Sequence, residues 1–164
     1  MKKFNIVFRT YLILLVFNFF SCKNESAYNN LHVDITVPPC SGANSNSYDI
    51  NKYEVIIYNE KGEPMKLDAI SHPLHMSSTQ FNDMYELEVP VGSISKVELN
   101  FPDPGTVGVS YGQNLITTKK NISCSLSGRT SLKSHVINKL DLNITFSLSG
   151  TYVLDPSLTA TIED

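Results

Sequence analysis

The 164-residue chain is long enough for one domain with a real core and too short for two ordinary ones. Its charge is unevenly placed: Lys2, Lys3 and Arg9 precede position 21 with no acid, and beyond it ten bases face sixteen acids, a net charge of −6. That balance, with no run of Lys or Arg, excludes a counter-charge stripe for phosphate backbones, so no nucleic acid partner is expected.

In chain order, the first element is a leader. Lys2 and Lys3 form a positive start, and the run Tyr11-Leu-Ile-Leu-Leu-Val-Phe-Asn-Phe-Phe20 supplies an apolar stretch that stops at Ser21-Cys22. A membrane-spanning helix needs about 20 apolar residues. This run is broken by Arg9 and Asn18 and gives way to Lys23-Asn24-Glu25-Ser26, so it reads as a leader of residues 1–21 rather than a span. Ser21-Cys22 resembles the lipobox of bacterial lipoproteins, with Phe19 and Phe20 where Leu and a small residue are usual. The resemblance implies cleavage before Cys22 and lipidation of its thiol and freed amine. Several acyl chains on one residue hold a protein at a membrane, each buried methylene contributing about 0.8 kcal/mol. It further implies a cell-envelope address, at the outer membrane, with the leaflet open.

Residues 22–30 read as a lipidated polar tether and residues 31–164 as one β-domain. Leu31, Val33, Ile35 and Val37 alternate with polar residues, which buries one face of a strand, and Pro38-Pro39 ends it. Ser41 to Ser47 is a loop. Lys52 to Tyr58, rich in β-branched and aromatic residues, then turns through Asn59-Glu-Lys-Gly62 to Met65 and Leu67, a hairpin. Asp68 to Asn82 lacks periodicity and reads as a connection with one short helical turn. Tyr85, Leu87 and Val89 restore alternation, followed by a strand from Ser93 to Phe101 with Ser95, Val97, Leu99 and Phe101 on one face. Pro102-Asp-Pro-Gly105 is a turn. Short strands follow around Val107, Leu115 and Ile122. Leu140, Leu142, Ile144, Phe146 and Leu148 alternate strictly with polar residues, and Leu158, Ala160 and Ile162 form a last strand after Pro156. Many short strands separated by turns predict an all-β antiparallel sandwich of about eight strands.

Val89-Pro-Val-Gly-Ser-Ile-Ser-Lys-Val-Glu-Leu99 is similar to the turn-and-strand of prealbumin-like sandwich domains, with Ile94 where Tyr is usual. Leu140 to Phe146, followed by Tyr152-Val-Leu-Asp-Pro-Ser-Leu158, resembles the tail of an uncharacterised lipoprotein domain family. These likenesses imply an Ig-like or prealbumin-like sandwich and transfer no catalytic residue.

Three residue sets carry candidate chemistry. His72, His75 and Met76 offer two imidazoles and a thioether within five residues, donors suited to copper or zinc, although Pro73 precludes a helix that would align the histidines. Cys40 and Cys124 form a disulfide candidate once Cys22 is acylated; two separate thiols are the equal alternative. Tyr48, Tyr53, Tyr58, Tyr85, Tyr111 and Tyr152 offer a stacking surface for glycans, without the Trp that sugar platforms favour. Glu86 and Glu88 read as a solvated face, and Asp103 as a turn former. No nucleophile elbow, phosphate loop, Cys-x-x-Cys pair or calcium loop occurs, so neither an enzyme nor a cofactor is expected. The expected role is a non-catalytic module binding or scaffolding an envelope protein or glycan, with metal handling as the alternative.

Overall fold

The computed structural model describes residues 28–40, 47–68, 72–90, 92–103, 105–110, 113–126, 131–133, 136–149 and 152–163. Residues 1–27, which include the expected leader and Cys22, lie outside them. The alternation read from the sequence becomes strands. They are β1 (Tyr28–Val37), β2 (Tyr48–Ile50), β3 (Glu54–Asn59), β4 (Pro64–Leu67), β5 (Leu74–Met76) and β6 (Phe81–Pro90). The chain continues through β7 (Ile94–Asn100), β8 (Gly105–Ser110), β9 (Gln113–Thr117), β10 (Asn121–Ser125), β11 (Asn138–Ser149) and β12 (Val153–Glu163). The all-β sandwich is as expected, with twelve strands rather than about eight and no helix among the described residues.

Two sheets form. One has eight strands in the order β5-β2-β8-β9-β12-β11-β1-β6, and the other four, β10-β7-β3-β4. Pairing is antiparallel except between β1 and β11 and between β12 and β9. A parallel pair cannot be closed by a tight turn. Here the chain between β1 and β11 builds the whole four-stranded sheet before it returns. The eight-stranded sheet curls until its two edges meet: β5 lies against β1 and β6. The Cys40 N–H, just beyond β1, donates to the Ser77 carbonyl just beyond β5 at 2.9 Å.

The core lies between the inner faces. From the large sheet come Leu31, Val33, Ile35, Leu140, Leu142, Ile144, Leu154 and Leu115, and from the small sheet Val55, Ile57, Val97 and Leu99, all at most 1 % exposed. The alternating pattern locates these residues because successive strand side chains point to opposite faces.

Local irregularities have local causes. In β7, Ile94 and Val97 are both buried while Ser95 is exposed, contrary to the expected face for Ser95. The register against β3 shifts between Tyr58 and Asn59. This bulge turns Ser95 outward, where its hydroxyl donates to the Asn59 carbonyl at 2.8 Å. The expected β3–β4 hairpin is present. Asn59 Oδ1 accepts from the backbone N–H of Lys61 and of Glu63, both at 2.9 Å, and Gly62 takes the left-handed φ of +76°. Gly108 answers a different need: a Cβ there would collide with the Asp49 carbonyl on β2. Pro156 sits inside β12, which runs unbroken from Val153 rather than starting after it. Its neighbour β9 pairs only with Val153 and Leu154, so beyond them that side of β12 carries no ladder for a proline to interrupt.

Candidate functional site

Leu74–Met76 form the edge strand β5 instead of the expected helical turn, with His72 and Pro73 just ahead of it. In β5, Leu74 and Met76 point into the core at 0 % exposure while His75, between them, points outward. The Met76 thioether and the His75 imidazole are therefore on opposite faces of one strand. The pleat that pairs β5 with β2 separates the set His72, His75 and Met76 as a metal site, and no group of three or more His, Cys, Asp or Glu among the described residues could hold a metal ion.

Each histidine instead meets its own carboxylate. His75 Nδ1 is 2.7 Å from Asp49 Oδ1, its cross-strand partner on β2. His72 Nδ1 lies 3.9 Å from Asp83 Oδ2 on β6, with its ring edge-on to Tyr85 at 5.1 Å. Tyr85 donates to Asp83 at 3.1 Å, and the buried Tyr53 hydroxyl donates to the His72 carbonyl at 2.6 Å. These contacts close the seam where β5 meets β6. Burial holds both phenols in the protonated form, pushing Tyr85 up to about 12 and Tyr53 further still. A tyrosinate nucleophile needs the opposite shift.

The two cysteines are not joined to each other. Cys40 lies buried after β1 of the large sheet, and Cys124 is half-buried on β10 of the small one, where burial raises its thiol pKa. Among the described residues, the tyrosines do not assemble a stacking surface. Tyr48 and Tyr53 are core residues, and Tyr58, under the Lys96 ammonium at 3.9 Å, belongs to the small sheet. Tyr111 lies outside the described residues. Glu86 Oε1 lies 3.0 Å from His32 Nε2 across β1 and β6 and, like Glu88, faces solvent. Asp103 pairs with Lys52 at 3.3 Å.

Two surface features remain. Along the β1–β6 pair, Asp34, Asn82 and Met84 of the outer face, with their strand neighbours Ile35 and Asp83, line an open depression of about 370 Å³. Beside it, Lys139 Nζ lies within 3.3 Å of carboxylate oxygens of Asp34, Asp141 and Glu163, which raise its pKa. The polar half of each alternating strand, including Asn143, Thr145 and Ser147 of β11 and Ser157, Thr159 and Thr161 of β12, covers the rest of this face.

The second feature lies at the end of the sandwich where β1 and β11 begin. Tyr28, Val136 and Ile137 are large apolar residues left in solvent there, and with Asn29 and Asn30 they line one depression. The sequence reading placed Tyr28 in the tether; it opens β1, paired with Pro90. Val136 and Ile137 carry no periodic signal, and their only sign in the sequence is two adjacent β-branched residues just ahead of an alternating strand.

No family model matches the chain, and no curated protein matches it. Among solved structures, the chain is similar to a candidate cell adhesion protein from Bacteroides ovatus ATCC 8483, at 11% sequence identity and a TM-score of 0.33. The likeness covers 84% of this chain and 45% of that one, so this chain spans less than half of that protein's length.

Proposed function

We propose that this is a lipid-anchored protein of the bacterial cell envelope, held at the outer membrane through Cys22, whose sandwich binds or scaffolds an envelope protein or glycan without catalysis. The observation that carries the reading is the leader: a positive start and an apolar run that ends on a small residue and a cysteine. The first strand begins at Tyr28, six positions after that cysteine, so anchor and domain are separated by a short polar link. The outer face of the large sheet supports the binding role. It presents carboxylates, amides and hydroxyls over a broad shallow surface, which suits a macromolecular partner better than an enclosed small molecule.

Mass spectrometry of the protein from membranes of its own cells tests the anchor. A mature chain that starts at an acylated Cys22 is expected, and Cys22→Ser should release the protein from the membrane fraction. A product with the leader attached, or with a different N-terminus, overturns the proposal. A photo-crosslinking residue in place of Met84 is expected to capture an envelope component, whereas the same residue in place of Tyr58 on the small sheet should not.

A further inference from the structure

Three of the five exposed large hydrophobic residues among those described, Tyr28 at 58%, Val136 at 48% and Ile137 at 63%, stand together at one end of the sandwich. They come from segments more than a hundred positions apart, brought together by the parallel register that sets Leu31 beside Asn138. A solvated end has no need of such a cluster. The same end is where the chain arrives from Cys22, and six residues reach at most about 21 Å when fully extended.

We propose that Tyr28, Val136 and Ile137 rest in the headgroup layer of the membrane that holds the anchor, so that the domain stands on the lipid in a fixed orientation. This rests on the lipid-anchored reading above. The short link allows no other end of a domain with ten-residue strands to approach the bilayer as easily, since β1 alone carries the chain about 30 Å away from Tyr28. The side chains fit the layer. A Tyr ring places its apolar body among the upper acyl chains and its hydroxyl among headgroups, and Val and Ile gain from leaving water. Charge attraction is not the main driving force, because the net charge of −6 beyond position 21 opposes an anionic surface and Lys139 is engaged by three carboxylates, which leaves the exposed Lys133 beside Val136 and Ile137 as a minor contribution. The partner is a zwitterionic lipid surface, and the contact is insensitive to salt. In this orientation the strands lead away from the membrane, and the turn at Ser77 to Thr79, beyond the far end of β1, is carried outward.

The chain contains no Trp, so one introduced Trp is an unambiguous reporter. Full-length acylated Ile137→Trp would be reconstituted in phosphatidylcholine vesicles with and without bromine on the acyl chains. About a twofold or greater loss of emission is expected in brominated vesicles, as for a ring at headgroup depth. Met84→Trp, also exposed at 58% but about 20 Å further along the sheet, should keep its emission. Val136→Trp repeats the measurement should Ile137→Trp fold poorly. Unquenched Ile137→Trp and Val136→Trp in protein whose mass carries the acyl chains, or equal quenching of Met84→Trp, overturns the orientation and leaves the anchor standing. A mass without acyl chains overturns the anchor reading and this inference together.

Discussion

Tyr53 shows how one side chain serves both packing and a polar demand. Its ring is 2 % exposed, and its hydroxyl donates to the His72 carbonyl at 2.6 Å. Tyr53→Phe should therefore cost about 1 kcal/mol, read as a lower denaturant midpoint at neutral pH. The alkaline limb follows from the same burial. Phenols in the unfolded chain ionise near pH 10, whereas Tyr85 is held up to about 12 in the fold and Tyr53 above that. Between those values the unfolded state has released protons that the folded state still binds, so stability falls as pH rises. Urea titrations from neutral pH upward should give a decline in stability that steepens above about pH 10, and the steepening should be shallower in Tyr53→Phe. A profile flat to pH 12 would show that these rings are open to water.

Strand β5 carries the contrast between a plausible motif and its pleat. His75 and Met76 are neighbours in sequence, yet consecutive strand residues face opposite ways, so one meets Asp49 and the other the core. Met76→Ala should cost roughly 2–5 kcal/mol, as for other buried large-to-small changes. His75→Ala removes one exposed contact with Asp49 and should cost under about 1 kcal/mol. Comparable losses in thermal melts of the two variants would contradict this placement. The donors themselves were legible in the sequence and the strand was not, because three residues between Pro73 and a Ser-Ser-Thr cluster are too few to display a period. Strand β11 is the opposite case. Its five alternating apolar residues admit no helical reading, and Leu140, Leu142, Ile144 and Phe146 are all buried. The β3–β4 hairpin was equally readable, since Asn59 and Gly62 supply turn chemistry within four residues.

For the whole molecule, the decisive pairing joins the two ends of the chain. β1 lies between β6 and β11, and β11 in turn pairs with β12 along eleven residues, so the centre of the large sheet cannot form until the C-terminal strands exist. Truncation after Ser149, which deletes β12, should abolish the cooperative thermal transition rather than lower its midpoint, because β11 would lose a full ladder and the core would open along Leu154, Leu158 and Ala160. A retained sharp transition would show that β12 is dispensable. Non-local pairing of this kind also predicts refolding on a scale of about milliseconds to seconds, measurable by stopped-flow fluorescence of the tyrosines.

The sequence by itself determined the all-β class and the inward face of most strands, because each depends on residues close together along the chain: a period of two and a turn. Only the tertiary structure decided which strands are neighbours. Alternation states which side of a strand is buried but is silent about what pairs with its edge. That choice placed β1 beside β11, moved the start of the first strand back to Tyr28, and divided His75 from Met76. It also assembled Tyr28, Val136 and Ile137 into one apolar end. No local pattern marks that cluster, since its members meet only when hydrogen bonds form between strands more than a hundred residues apart.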